Sequence, residues 1–131
     1  MPLLDTPELL QDRPHGCGKT AFEILFRFHF PRKPVPDWGE LADPARGLGP
    51  DSMELFVRKE FPCVFTGHID LNVLQLLTRF TPVLCIITVA PELDHWVACR
   101  SVTRHRVHTQ DPSEGRLSYT HAEWSAMWTD A

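Results

Sequence analysis

"QDRPHGCGKTAFEILFRFH", residues Gln11 to His29, places a cysteine between two glycines immediately before a helical pattern. The pattern predicts a helix from about residue 17 to residue 30, because apolar side chains recur at a spacing of about 3.6 residues: Ala21, Ile24 or Leu25, and Phe28. The prolines of "PRKP" end this helix. The stretch "HGCGKT" at its start is compatible with a nucleotide site, a metal site, a packed turn or a nucleophilic thiol.

Residue spacing disfavours the first two of these sites. A phosphate-binding loop needs a glycine, then four residues, then Gly-Lys-Ser/Thr, and the position of the first glycine holds Arg13. A zinc site needs cysteine or histidine pairs at ligand spacing, but the four cysteines and seven histidines include no C-x2-C pair. We therefore predict neither a metal nor a cofactor.

The composition is that of one ordinary globular domain. The chain has 131 residues, of which 43% are hydrophobic and 23% charged, so we expect a single domain spanning residues 1–131. The formal net charge of −4 argues against a nucleic-acid partner, because such proteins are usually basic.

The sequence shows no segment typical of export or membrane insertion. The start, "MPLLDTPELLQDRP", lacks a positively charged region, and the apolar stretch "PVLCIITVA" is far shorter than the roughly 20 residues that span a bilayer. We therefore expect a cytoplasmic protein with no membrane insertion. In that compartment the cysteines are expected to be reduced thiols: Cys17, Cys63, Cys85 and Cys99.

The rest of the chain reads as helices followed by strands. Helices are predicted at Asp37, over "DSMELFVRKEF" and over "DLNVLQLLTRF", and a last one at "WSAMW". Capping-box spacing marks three helix starts: Asp37 with Glu40, Asp51 with Glu54, and Thr120 with Glu123. "PVLCIITVA", "HWVACRSV" and "RHRVHTQ" read as strands, the last two as a hairpin around Thr103, and "DPSEG" as a turn. This order predicts an α+β fold in which N-terminal helices pack on a C-terminal antiparallel sheet.

Cys17 has the setting that a nucleophilic thiol needs. At the first turn of a helix, unpaired backbone N–H groups and the helix dipole stabilise a thiolate. Such a nucleophile also needs a base, a group that orients the base, and a donor to the developing oxyanion. His95 at the start of a strand, Asp111 at the end of the next strand and Gln11 upstream of the cysteine are candidates for these roles.

Each of these residues alone has a simpler interpretation. A lone cysteine is usually a small apolar filler, a lone histidine is usually packed or on the surface, and an aspartate before proline usually belongs to a turn. His15, only two residues from Cys17, is expected to be an exposed and dispensable loop histidine. The ordered set, rather than any one member, favours a catalytic site.

This ordered set resembles the C39 peptidase family of the papain-like clan. The resemblance rests on Gln11, "GCG", "HWVAC" and "DP", supported by "GLGPDSMELF", "FTPVLCII" and "YTHAEWSAMW". It implies a papain-like fold with Gln11 as oxyanion donor, Cys17 as nucleophile, His95 as general base and acid, and Asp111 as its orienter. The residue before "CG" is commonly Asp in that family and is Gly16 here.

The predicted function is a cysteine peptidase that cleaves a peptide or isopeptide amide. The partner is then a peptide or protein substrate. The best-known C39 members are fused to an exporter that is not part of this sequence, so their leader-peptide substrate is not carried over, and association with a separate transporter stays open. The alternatives are a papain-like module that binds a peptide without cleaving it, a thiol acyltransferase or deamidase, and a structural protein in which Cys17 is merely packed.

Overall fold

The computed structural model describes residues 4–11, 17–35, 50–61, 69–90 and 93–128. In chain order they form these elements: α1 (Cys17–His29), α2 (Pro50–Glu60), α3 (Leu71–Leu77), β1 (Val83–Ala90), β2 (Leu93–Val102), β3 (Arg106–Asp111), β4 (Gly115–Thr120) and α4 (His121–Met127). The helix predicted at Asp37 lies outside the described residues.

Helix α1 buries a wider face than its spacing predicted. Ala21 and Ile24 are buried as predicted, together with Phe22 and Phe26, whereas Phe28, which was predicted to lie on the same face, is only half-buried. The Phe22 and Phe26 rings stack with their centroids 5.9 Å apart. The stack joins α1 to α2 and to one face of the sheet in a first hydrophobic core: Ala21, Phe22, Phe26, Met53, Val57, Ile86 and Trp96.

The sheet has the antiparallel order β1-β2-β3-β4 and separates two cores. Successive residues of a strand point to opposite faces, so Ile86 and Trp96 join the first core while Ile87 and Val97 join a second. Leu74 of α3 and Trp124 of α4 fill this second core. The prediction of an α+β fold with an antiparallel sheet is therefore confirmed, with helices on both faces of the sheet.

The hairpin of β2 and β3 turns at Thr103, as predicted. The Thr103 N–H donates to the Arg106 carbonyl oxygen at 2.8 Å, and Ala98 pairs with Gln110 further along. The register shifts by one residue between Cys99 and Ser101, at Arg100. The "DPSEG" turn leads into β4 at Gly115, whose φ of +85° lies in the left-handed region that glycine adopts most easily.

Strand β4 is absent from the sequence prediction. It pairs with β3 from Arg106↔Thr120 to Asp111↔Gly115, yet all of its side chains are exposed or only half-buried. Its sequence, GRLSYT, therefore lacks the regular apolar alternation that marks a strand.

The helix ends follow their capping residues. The capping box of α4 is confirmed, because the Thr120 hydroxyl accepts from the Glu123 N–H at 3.1 Å and the Glu123 carboxylate accepts from the Thr120 N–H at 2.8 Å. Helix α3 ends at Leu77, three residues before the predicted end. Its C-cap residue is Thr78, whose hydroxyl donates to the Leu74 carbonyl oxygen at 2.9 Å. The side chain of Asp51, predicted to cap α2, lies outside the described part.

Cys17, Cys85 and Cys99 are free thiols, and Cys63 lies outside the described residues. Among the helices described, none is both long and apolar enough to cross a bilayer.

Candidate active site

Cys17 is the first residue of α1, and its thiol is half-buried. The sulfur is hydrogen-bonded to the His95 ring and to the backbone N–H groups of Trp96 and Gly18. Burial by itself raises the pKa of a thiol, but these hydrogen bonds and the charge of His95 outweigh it. The pKa of Cys17 therefore lies below its ordinary value of 9.0, which favours the thiolate.

The strand register brings His95 and Asp111 together. Continuing the pairing of Ala98 with Gln110 toward the open end of the hairpin sets His95 opposite Ser113 and diagonal to Asp111. The His95 Nε2–H donates to Asp111 Oδ1 at 2.6 Å, and the side chains are only 11% and 4% exposed. Because Nε2 is engaged by Asp111, Nδ1 is the ring nitrogen available to Cys17.

Asp111 is itself held by the turn that follows it. Its Oδ1 accepts from the Ser113 N–H at 2.8 Å, from the Ser113 hydroxyl at 2.9 Å and from the Glu114 N–H at 3.3 Å. Burial raises the pKa of this carboxyl, but the hydrogen bonds from His95 and Ser113 lower it further than burial raises it. The carboxylate thus stays charged next to the imidazole.

The histidine is the most strongly shifted group of the three. Burial lowers the pKa of His95, but hydrogen bonds to Asp111 and Cys17 and the charges of both raise it to about 9. A cysteine with a lowered pKa beside a histidine with a raised one is the signature of a thiolate–imidazolium pair. Since the two groups are coupled, they titrate as a pair rather than as independent groups.

Gln11 lies at the same end of the hairpin. Its backbone N–H donates to the carbonyl oxygen of Pro112, the residue after Asp111, at 2.7 Å. The structure therefore brings Gln11 beside the Asp111 turn, and it brings Cys17, His95 and Asp111 into one hydrogen-bonded chain. His15 and Gly16 lie outside the described residues.

The other described cysteines have the opposite environment. Cys85 and Cys99 are buried in the second core, and burial raises the pKa of Cys85 well above its ordinary value and that of Cys99 to about 12. Of the described thiols, Cys17 alone has its pKa lowered.

Sequence reasoning missed two contributors to the site. The Trp96 N–H reaches the Cys17 sulfur, and backbone donors carry no mark in a sequence. The Ser113 hydroxyl lies 3.3 Å from His95 Nε2 as well as 2.9 Å from Asp111. The "DPS" sequence, in which a serine follows the aspartate by two residues as in an Asx-turn, could have indicated it.

Comparisons with known proteins are informative at the level of structure. No family model and no curated protein matches the sequence. Among solved structures, the chain is similar to a double glycine motif protease from an AMS/PCAT transporter, crystallised in complex with the leader peptide, with a TM-score of 0.71. The two chains share a fold. The similarity covers 98% of this chain and 89% of that one at 15% identity, so it concerns the architecture, and it matches the C39-like fold that the sequence resemblance implied.

Proposed function

We propose that this protein is a papain-like cysteine peptidase of the C39 type, with Cys17, His95 and Asp111 as its catalytic triad and Gln11 in its oxyanion hole. The observation that carries the proposal is the hydrogen-bonded chain from the Cys17 sulfur through the His95 ring to Asp111. A packed structural thiol has no need of a lowered pKa or of an oriented, charged partner.

Acylation begins with attack of the Cys17 thiolate on the carbonyl carbon of an amide. A carbon–sulfur bond forms, and the carbonyl oxygen becomes an oxyanion. The Gln11 side-chain amide and the Cys17 backbone N–H donate to this oxyanion. The His95 imidazolium then gives its Nδ1 proton to the leaving nitrogen, the carbon–nitrogen bond breaks, and the free amine leaves behind a thioester.

Deacylation uses the same groups in reverse. Neutral His95 takes a proton from water as the water oxygen attacks the thioester carbon. The carbon–sulfur bond then breaks to give a carboxylic acid and the Cys17 thiolate. Asp111 holds the His95 ring in one orientation throughout and stabilises the imidazolium, and it exchanges no proton itself.

The proposed substrate is a peptide or isopeptide segment of a protein. The neighbour in fold was crystallised with a leader peptide, which fits an extended peptide as the substrate class here. Cytoplasmic location stays a prediction, and association with a separate transporter stays open.

The proposal is tested by mass spectrometry on a proteome-derived peptide library. Wild-type protein is expected to generate new peptide termini that Cys17→Ala does not generate. Cys85→Ala, which removes a buried thiol, is the control and should keep wild-type activity per folded molecule. Cleavage at equal rates by wild type and Cys17→Ala would exclude the proposed nucleophile. If the wild-type protein binds peptides of the library but cuts none of them, a non-cleaving binding module is favoured instead.

A further inference from the structure

Residues 4–11, here called the N-terminal segment, form neither helix nor strand. The segment ends at Gln11, whose N–H donates to the Pro112 carbonyl at 2.7 Å. The position of Gln11 therefore depends on tertiary contacts of the segment. Those contacts come chiefly from two arginines of the sheet that the proposed mechanism does not use.

Arg100 and Arg116 donate to backbone carbonyls of the N-terminal segment. Arg100 reaches the Leu4 oxygen through Nε at 3.1 Å and through a terminal nitrogen at 3.0 Å. Arg116 reaches the Thr6 oxygen at 2.8 Å. Two strands thus hold the segment across a sequence separation of about a hundred residues.

The sheet presents both arginines in fixed positions. Arg100 lies at the register shift of β2, and irregularities of this kind re-aim a side chain. Gln110 of β3, which is fully buried, accepts from Arg116 Nε at 3.2 Å. Three neighbouring strands therefore contribute to these contacts of Arg100 and Arg116 with the N-terminal segment, which we call the anchor.

Burial makes the anchor and the segment depend on each other. Arg100 is only 7% exposed, and a buried guanidinium without acceptors is strongly destabilising. The Leu4 carbonyl supplies the acceptor. The ion pairs of Arg116 with Asp5 at 3.5 Å and Glu8 at 3.1 Å involve exposed carboxylates, so they add little, and the carbonyl contacts dominate.

We propose that Arg100 and Arg116 are positioning residues that hold the N-terminal segment on the sheet and thereby place Gln11 for transition-state stabilisation. The catalytic part rests on the function proposed above, whereas the anchoring part does not. An oxyanion donor must lie within a few tenths of an ångström of its productive position, so a loosened segment lowers its effect.

The anchoring part is tested by hydrogen exchange of the Gln11 amide in Arg116→Ala, Arg116→Lys and Arg100→Met. Arg106→Ala is the matched control, because Arg106 bonds to Ser118 and not to the segment. We expect exchange of the Gln11 amide to rise about tenfold in Arg116→Ala, because local opening becomes easier. The rise should be smaller in Arg116→Lys, which keeps one cationic donor, and absent in Arg106→Ala. Unchanged exchange in folded Arg116→Ala overturns the anchor, even if Arg100→Met fails to fold.

The catalytic part is tested by a double-mutant cycle on a peptide cleaved by the wild type. Arg116→Ala should lower kcat about tenfold, a part of the ~10²–10³ that loss of an oxyanion donor typically causes, with little change in KM. In a Gln11→Ala background the same substitution should change kcat less than about twofold, because the group it positions is gone. An equal loss in both backgrounds overturns the positioning role.

Alkylation of Cys17 by iodoacetamide separates positioning from general damage. The rate should match wild type in Arg116→Ala, since the thiolate depends on His95 and Asp111 rather than on Gln11. A slower rate would show that Arg116 supports the whole site and overturn its action through Gln11. If the wild type cleaves no peptide, the proposed function fails, while the exchange experiment still decides the anchor.

Discussion

At the scale of single residues, Cys17, His95 and Asp111 determine one another's protonation state. Asp111 keeps its charge because His95 and Ser113 donate to it, the pKa of His95 is raised because Asp111 and Cys17 accept from it, and the pKa of Cys17 is lowered in return. The sequence pointed to these three residues because each lies in a short local motif, and their roles as a catalytic triad stay a prediction. It also predicted a stabilised thiolate at Cys17 from the helix start, but it could not show the Trp96 N–H, which helps to lower the pKa of that thiol.

Gln11→Ala should lower kcat by about 10²–10³ with a much smaller change in KM, because an oxyanion donor acts on charge that exists only in the transition state. Steady-state kinetics on a cleaved peptide measure this. Gln11→Glu, which is of similar size but has no donor when ionised, should lose at least as much kcat. A rise in KM at constant kcat would make Gln11 a ground-state contact.

Asp111→Asn should keep more activity than Asp111→Ala, since an amide oxygen can still accept the Nε2–H of His95 at the position of Oδ1. Loss of the carboxylate charge lowers the pKa of His95, which is about 9 in the wild type. The ion pair is lost when His95 deprotonates, so the alkaline limb of the kcat/KM profile should move to lower pH in Asp111→Asn. Equal activity of the two variants would reduce the site to a Cys–His dyad.

At the scale of elements, the sequence predicted features that depend on neighbouring residues, but not those that depend on the pairing of distant strands. The start of α1 at Cys17 and the Thr120–Glu123 capping box were predicted correctly because each depends on residues close in sequence. Strand β4 was missed because its strand character comes from pairing with β3 rather than from an apolar pattern. The anchor on Leu4 was beyond prediction, since Arg100 is 96 residues away.

Thr120→Ala should destabilise the protein by about 1 kcal/mol, because it removes the acceptor for one orphan N–H of α4 and breaks the capping box. Urea denaturation measures the change in the free energy of unfolding. Thr120→Ser, which retains the hydroxyl, should lie close to wild type. A loss in Thr120→Ser equal to that in Thr120→Ala would assign the effect to the methyl group rather than to the cap.

At the scale of the whole molecule, the sheet has a hydrophobic core on each face and carries the candidate site at one end. Helix α1 brings Cys17 over one face, and the ends of β2 and β3 bring His95 and Asp111 to it. The sequence predicted helices packed on an antiparallel sheet. It could not place helices on both faces, because an apolar strand pattern shows that a strand is buried but not which helix covers each of its faces.

The raised pKa of His95 predicts a pH-dependent stability. The folded protein holds the proton more tightly than the unfolded chain, so this stabilisation is complete below the ordinary pKa of 6.5 and is lost as pH rises through the folded value of about 9. Cys17→Ala removes the coupled thiol. Asp111 still raises the pKa of His95 in that background, so the free energy of unfolding in urea should fall as pH rises above 6.5, by on the order of 1–2 kcal/mol. Cys17→Ala/His95→Gln should lack this fall; an equal fall there would assign it to other groups.

The central claim is a Cys17 thiolate maintained by His95, and the pH dependence of iodoacetamide alkylation, followed by peptide mass spectrometry, tests it most directly. We expect Cys17 to react near neutral pH far ahead of Cys63, Cys85 and Cys99, and to slow at that pH in His95→Ala. The claim is contradicted if all four cysteines react slowly and alike, or if Cys17 titrates as an ordinary thiol whether or not His95 is present.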